Sequence, residues 1–345
     1  MKKFGIIFGI VLAVNIILLF AGTKTRDILS PEKPGLKVGL VFDVGGRGDK
    51  SFNDSAYNGL ERAVKELKIK AEYIEPGEGS DRESALRLLA AQNYGLIIGI
   101  GFIFTDDVTN VAKEYPNVKF ACVDYVVKTD AAGNTVPPPE NVAAIKFREE
   151  EGSYLVGALA ALMSKTDKIG FVGGMDIPLI HKFEAGYKAG AAAVLPGIEI
   201  VTNYAGVTGS AFKDPAKGKE LAMSQYSNGV DIIYHASGAT GMGVFEAARN
   251  LNKLAIGVDS DQYSEAPGFI LTSMVKKVDV AVFEIIKECS EGKFRGGVKI
   301  FGVKEDGVGF VYDNNNRGMI PSDVMEKVNA LKQKISDGKI NVPSS

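Results

Sequence analysis

Three aspartates follow apolar runs that have the pattern of buried β-strands: Asp43, Asp124 and Asp259. In parallel α/β sheets, ligands bind outside the carboxyl ends of the strands, so we expect the three side chains to face one cleft. Carboxylates grouped in this way bind a metal ion, an organic cation or the hydroxyl groups of a ligand. The alternative for each aspartate is a turn at a strand end or a helix cap.

A glycine-rich turn, "DVGGRGDK" at residues 43–50, follows the first of these strands. Its glycines match neither the dinucleotide-binding pattern nor the phosphate-binding loop, and a carboxylate at the strand exit would repel a pyrophosphate. Phe52 and Asn53 come next, and an aromatic ring beside amide and carboxylate groups suits a flat, uncharged ligand that forms hydrogen bonds. Alternatively, Phe52 is a hydrophobic staple for the following helix and Asn53 caps that helix.

Two further candidates lie in the second half of the chain. Phe183 has polar neighbours in "HKFEAGYKAG", which favours a ring at a ligand site over a ring in the core. Gly238 lies in "ASGATGMG", where the glycines would allow a ligand to approach the backbone closely. Close packing of a helix explains these glycines equally well.

The elements that must position these residues follow a regular order. From Lys37 onward, short β-rich apolar runs alternate with amphipathic segments, which predicts repeated βα units and parallel sheets. A turn-rich segment with three successive prolines, residues 137–139, precedes the expected boundary between two Rossmann-like layers. We expect an N-terminal lobe and a C-terminal lobe joined by several crossings of the chain. The first would contain residues 37–146 and about 275–296, and the second residues 147–274 and about 297–338.

Composition and the first residues limit the class of protein. The chain has 345 residues, and 46% of them are apolar, which is enough for two cores. Its 40 basic and 42 acidic residues nearly balance, so we expect no nucleic-acid partner. Residues 1–23 have the pattern of an export signal or an uncleaved membrane anchor, and residues 24–36 that of a linker. Cys122 and Cys289 lie in ordinary apolar runs, so we expect no structural disulfide.

The motif "DKSFNDSAYNG" resembles the signature of the basic membrane protein family of ABC-transporter solute-binding proteins, the purine nucleoside receptor group. "KFACVDY", "HKFEAGYKAG", "GVDSDQ" and "TSMVKKVD" extend the resemblance, in order, over residues 37–335. It implies a type I periplasmic-binding-protein fold, in which two Rossmann-like lobes joined by a hinge close on a ligand. It also implies an exported monomer at the cell surface or in the periplasm, which delivers adenosine, guanosine or inosine to an ABC permease without a cofactor or a metal.

The resemblance also implies a role for each candidate residue. Asp124 and Asp259 match the positions that hold ribose hydroxyls, and Lys276 matches the lysine that reaches the sugar. Asp43 and Asn53 match the positions that read the purine edge. Phe183 is placed opposite Phe52, so that the two rings would sandwich the base.

Some features differ from the family or leave other functions open. No cysteine follows the N-terminal apolar run, so a lipid anchor is not supported. A metal-assisted nucleoside hydrolase is one alternative, but His181 and His235 are the only histidines and no nucleophile motif is present, which favours binding without turnover. The sensory domain of a regulator with the same fold is another, although no helix-turn-helix precedes Lys37.

Overall fold

The computed structural model describes residues 35–76 and 81–345. The predicted signal or anchor and all but the end of the predicted linker lie outside the described residues. In the described part of the chain, none of the helices combines the length and the hydrophobicity that a membrane span requires. The thiols of Cys122 and Cys289 are both free.

Strands and helices alternate along the described chain. The strands are β1 (Lys37–Val41), β2 (Lys70–Ile74), β3 (Leu96–Ile100), β4 (Lys119–Val123), β5 (Lys128–Thr129), β6 (Thr135–Val136), β7 (Val142–Phe147), β8 (Lys168–Met175), β9 (Glu199–Gly206), β10 (Ile232–Ala236), β11 (Leu254–Asp259), β12 (Ile270–Lys276), β13 (Gly297–Phe301) and β14 (Val308–Phe310). The helices are α1 (Phe52–Leu67), α2 (Asp81–Ala91), α3 (Thr105–Glu114), α4 (Glu149–Met163), α5 (Pro178–Val194), α6 (Pro215–Ser227), α7 (Gly241–Leu251), α8 (Val278–Ser290) and α9 (Ser322–Ser336).

These strands form two six-stranded sheets with the same winding. The strand order is β2-β1-β3-β4-β7-β13 in the first sheet and β9-β8-β10-β11-β12-β14 in the second. All neighbours are parallel except β12 and β14, and β5 and β6 form a separate short hairpin. The α/β fold with tandem parallel sheets is therefore confirmed. In this order β4 and β11 occupy equivalent fourth places.

Each sheet defines one lobe. The central strands are buried along their whole length, as in β3 (LIIGI) and β10 (IIYHA), because helices cover both faces of a parallel sheet. In the second lobe, α4 and α5 pack closely where glycines allow their backbones to touch. A Cβ atom at Gly157 would lie 2.1 Å from the carbonyl oxygen of Tyr187, and one at Gly186 would lie 2.1 Å from that of Glu150. This packing fixes the N-terminal end of α4 beside the middle of α5.

Within the described residues, the chain crosses between the lobes three times, from β7 to α4, from β12 to α8 and from β13 to β14. The crossings lie together, since Arg148 N–H donates to the carbonyl of Phe301 (2.9 Å) and Lys277 N–H to that of Gly307 (2.9 Å). One part of the predicted lobe assignment is wrong. The sequence pattern predicts that residues from about 297 onward belong to the second lobe, but β13 pairs with β7 in the first sheet, where it completes the edge. A five-residue strand fits either sheet, and its sequence does not specify its partner.

Candidate ligand-binding site

A cavity lies between the lobes, at the carboxyl ends of the parallel strands. It encloses about 600 Å³ that no protein atom occupies, part of which is open to solvent. All eight residues named from the sequence line it. The first lobe contributes Asp43, Phe52, Asn53 and Asp124. The second contributes Phe183, Gly238, Asp259 and Lys276.

The glycine-rich turn is organised by Asp49, which was not identified from the sequence. Its buried carboxylate accepts hydrogen bonds from the backbone N–H groups of Ser51 (2.9 Å), Asn53 (2.9 Å) and Asp54 (3.1 Å). Asp49 therefore caps α1, and the alternative in which Asn53 is the cap is wrong. Asn53 instead joins the strand exit to the helix: its Oδ1 accepts from Asp43 N–H (3.1 Å), and its Nδ2 donates to Asp49 (3.1 Å).

Asp43 is held against a glycine at the end of the neighbouring strand. Its Oδ1 accepts a hydrogen bond from Val44 N–H at 2.6 Å. Gly101 follows β3 with φ of 104°, and a Cβ atom there would lie 2.2 Å from Asp43 Oδ2, so only glycine leaves room for the carboxylate. Burial raises the pKa of Asp43 to about 7, because desolvation disfavours the charged carboxylate.

Asp124 and Asp259 have the same backbone conformation at equivalent places in the two sheets. Asp124 directly follows β4 and has φ of 60°, and Asp259 ends β11 and has φ of 66°. A positive φ is uncommon outside glycine and is tolerated best by aspartate and asparagine. Both side chains are at most 8% exposed and both line the cavity.

A buried lysine connects the lobes. Lys276 is 1% exposed, and its Nζ lies 2.7 Å from Asp124 Oδ2 and 3.0 Å from Glu149 Oε1. Burial opposes its charge, but Asp124, Glu149 and Asp259 together raise the pKa of Lys276 above its ordinary value. Glu149, which was not identified from the sequence, also pairs with Lys182, and the two lysines hold the pKa of Glu149 below its ordinary value despite its burial. The charged groups of this cluster therefore form ion pairs and hydrogen bonds with one another.

Aromatic rings from both lobes surround the same ammonium group. Nζ of Lys276 lies 5.0 Å from the ring centroid of Phe52, 5.1 Å from that of Phe147 and 5.7 Å from that of Phe183. Phe183 also packs into the main hydrophobic core and is only 4% exposed, so this ring both lines the cavity and belongs to the core. Phe212, a further ring that sequence reasoning missed, lines the cavity near Gly238.

The carboxyl groups retain capacity for further hydrogen bonds. Asp124 Oδ1 is buried and has no hydrogen-bond partner among the residues that the structure describes, whereas Asp124 Oδ2 accepts from Lys276. Asp259 Oδ2 accepts from the hydroxyl of Ser51 at 2.5 Å, and burial raises the pKa of Asp259 to about 7. Within residues 35–76 and 81–345, no group of three acidic, histidine or cysteine side chains could hold a metal ion. The site is therefore suited to a ligand that donates hydrogen bonds and has a flat apolar face.

Comparison with known proteins gives a consistent result. Residues 36–345 match the Bmp family model, described as ABC transporter substrate-binding protein PnrA-like. The chain is 35% identical to the ABC transporter nucleoside-binding protein BmpA of Lactococcus lactis, covering 96% of this chain and 97% of that protein. It is 37% identical to an uncharacterized lipoprotein of Pyrococcus abyssi, over 90% of this chain and 77% of that one.

Among solved structures, a solute-binding protein of an ABC transporter system from Aeropyrum pernix has a TM-score of 0.79 and 32% sequence identity. The match covers 90% of this chain and 94% of that one. The type I periplasmic-binding-protein fold implied by the motifs is confirmed by this similarity. The chain belongs to the Bmp family of ABC transporter substrate-binding proteins.

Proposed function

We propose that the protein binds a purine nucleoside between its lobes and delivers it to an ABC permease. The observation that carries this proposal is the pairing of Phe52 and Phe183, from opposite lobes, with three aspartates in one cavity. Stacking of a base on an aromatic side chain contributes about 1–3 kcal/mol per base. The printed name of the Lactococcus lactis relative, a nucleoside-binding protein, points the same way.

The hydrogen-bonding groups suit a ribose. Oδ1 of Asp124 and the carboxyl of Asp259 accept from two sugar hydroxyls, and Lys276 donates to a sugar oxygen. Asp43 accepts from a donor on the purine edge, with Asn53 beside it. The backbone at Gly238, where φ is 57°, approaches the ligand most closely in the second lobe.

Closure of the lobes is the proposed mechanism. A ligand that contacts both halves stabilises the closed arrangement over the open one by the difference in its binding free energy. The three crossings near Arg148 and Lys277 are the proposed hinge. We propose that the two lobes assigned from the sequence are the bodies that move, except that β13 belongs to the first lobe.

The proposed setting is outside the cytoplasm, with the N-terminal segment as export signal or anchor. A lipoprotein among the relatives supports attachment to the membrane, and the permease, rather than nucleic acid, is the partner. We propose that the monomer releases its ligand unchanged. Incubation with inosine and chromatography of the products tests this, because formation of hypoxanthine would favour the alternative of a metal-assisted hydrolase.

Calorimetric titration of the purified protein with inosine, guanosine and adenosine tests the proposal. The expected dissociation constant for at least one of them is near micromolar or tighter, about −8 kcal/mol or better. The corresponding monophosphates should bind more weakly, since Asp43, Asp124 and Asp259 disfavour added negative charge. Absence of heat with all three nucleosides, on protein freed of copurified ligand, would contradict the proposal.

A further inference from the structure

A second set of interlobe contacts lies beside the cavity. The turn at Lys50 and Ser51, before α1 in the first lobe, meets the segment that follows β11 in the second lobe. Nε2 of Gln262 donates to the carbonyl oxygen of Lys50 at 3.0 Å, and the hydroxyl of Ser260 donates to that of Ser51 at 3.3 Å. Of the residues that the structure describes, those lining the cavity include neither Gln262 nor Lys50.

The orientation of the Gln262 amide is fixed from both of its ends. Oε1 accepts from the backbone N–H of Val258 at 2.8 Å, and only an oxygen can face that donor. The other end faces the carbonyl of Lys50, which can only accept, so the amide nitrogen must lie there. No alternative flip of the amide satisfies both contacts.

This orientation also assigns the proton on His235. Nε2 of His235 lies 3.1 Å from Gln262 Oε1, an acceptor, so Nε2 must carry a hydrogen. His235 is fully buried, and burial lowers its pKa to about 4, so the ring is neutral and Nδ1 accepts from the hydroxyl of Ser237 at 3.2 Å. Ser237 lines the cavity.

The surrounding backbone leaves Gln262 no freedom to reorient. Gln262 is 1% exposed, and its N–H donates to the hydroxyl of Ser273 at 3.1 Å. A Cβ atom at Gly257 would lie 2.7 Å from its Oε1. The side chain is therefore an inflexible part of the second lobe that presents one amide donor to the first lobe.

We infer that Gln262 is a positioning residue for lobe closure. Its amide donates to the Lys50 carbonyl of the first lobe, while His235 fixes the orientation of the amide. Gln262 itself does not contact the ligand. The inference rests on the proposed function for the identity of the ligand, whereas the contacts of Gln262 do not depend on that function. Because the contact joins the lobes, its loss raises the rate of ligand release and leaves the association rate nearly unchanged. Because Gln262 does not contact the ligand, loss of this hydrogen bond raises the dissociation rate by the same factor for every nucleoside.

The test compares Gln262→Glu and Gln262→Met with wild type in stopped-flow binding of inosine, guanosine and adenosine. In Gln262→Glu the acceptor for Val258 and His235 remains, but an oxygen replaces the donor to Lys50. Gln262→Met removes both the acceptor and the donor. It serves as the second variant if a buried glutamate prevents folding. The expected result is a dissociation rate raised about tenfold, by the same factor for each ligand that binds.

Gln225→Met is the matched control. Gln225 is an equally buried glutamine of the second lobe, and its Nε2 donates to Phe171 and Asn203 within that lobe. It should lower the thermal midpoint as Gln262→Met does, with the dissociation rate unchanged. Dissociation rates within twofold of wild type in the Gln262 variants, or factors that differ between nucleosides, would overturn the inference.

Failure of the proposed function is distinguishable from failure of this inference. If the wild-type protein binds none of the three nucleosides, the proposed function fails, and small-angle scattering of the protein without ligand then decides on the contact. The radius of gyration of both Gln262 variants should exceed that of wild type and of Gln225→Met. Equal radii in all four proteins would overturn the inference.

Discussion

Asp124 in the first lobe and Asp259 in the second occupy equivalent places, at the end of the fourth strand of each sheet, with the same left-handed backbone. Each is paired with a residue of the other lobe, but the partners differ in charge. Asp124 forms an ion pair with the ammonium group of Lys276 at 2.7 Å, whereas Asp259 accepts a hydrogen bond from the neutral hydroxyl of Ser51. The fold thus sets where a carboxyl lies, and residues distant in sequence decide whether its charge is balanced.

The largest loss of stability should come from removing the positive charge of Lys276, which balances Asp124. Lys276→Met leaves the buried carboxylates of Asp124 and Glu149 without their shared cation, and loss of one member of a buried ion pair costs about 3–5 kcal/mol. Urea unfolding should show a loss of unfolding free energy in this range, with nucleoside binding abolished.

The matched control for this variant is Lys277→Met. Lys277 is the next residue, and its ion pair with Asp306 lies at the surface, so its loss should lower the unfolding free energy by at most about 1 kcal/mol. Equal effects of the two variants would contradict the assignment of Lys276 to a buried, balanced cluster.

A smaller effect, of opposite sign in the two lobes, should follow from neutralising each aspartate. At pH 8, Asp259→Asn should raise the unfolding free energy of the unliganded protein by about 1–3 kcal/mol, since burial raises the pKa of this carboxyl to about 7 and its ionisation opposes folding. Asp124→Asn should lower it, because Lys276 loses a partner. Both variants should weaken nucleoside binding at least tenfold.

The pH dependence of this difference has a defined direction. Folded Asp259 binds its proton up to about pH 7 and the unfolded chain only up to about 3.8, so the wild type loses stability relative to Asp259→Asn as the pH rises from about 4 to 7. Unfolding at pH 5 and pH 8 measures it. A gap between the two proteins that is the same at both pH values would show that Asp259 is ionised throughout.

The smallest effect should distinguish the two aromatic rings. Phe52→Leu and Phe183→Leu should each weaken nucleoside binding about tenfold, because leucine retains bulk but offers no stacking face. Only Phe183→Leu should also reduce thermal stability, since Phe183 is 4% exposed and Phe52 is half-buried. Calorimetry with melting curves on both variants checks this, and unchanged affinity in both would remove the rings from the site.

The sequence was most informative where a local pattern carries the information. The aspartates follow strands whose apolar runs are evident, and the topology of parallel sheets brings their ends together. Glu149 was missed because it begins the run Glu149–Glu151, which is typical of an exposed first helical turn. Its burial depends on Lys276 and Lys182, which lie far away in the sequence. Asp49 was missed for a similar reason, since only the folded turn shows which N–H groups it caps.

The location of the buried ion cluster has a mechanical consequence. Glu149 directly follows one crossing between the lobes and Lys276 directly precedes another. A rotation displaces atoms least near its axis, and these charges lie close to the axis of the proposed movement. The distances between them therefore change little while the mouth of the cleft widens. Opening therefore does not have to rehydrate them, and the strongest electrostatic bonds of the site add little resistance to the entry or release of cargo.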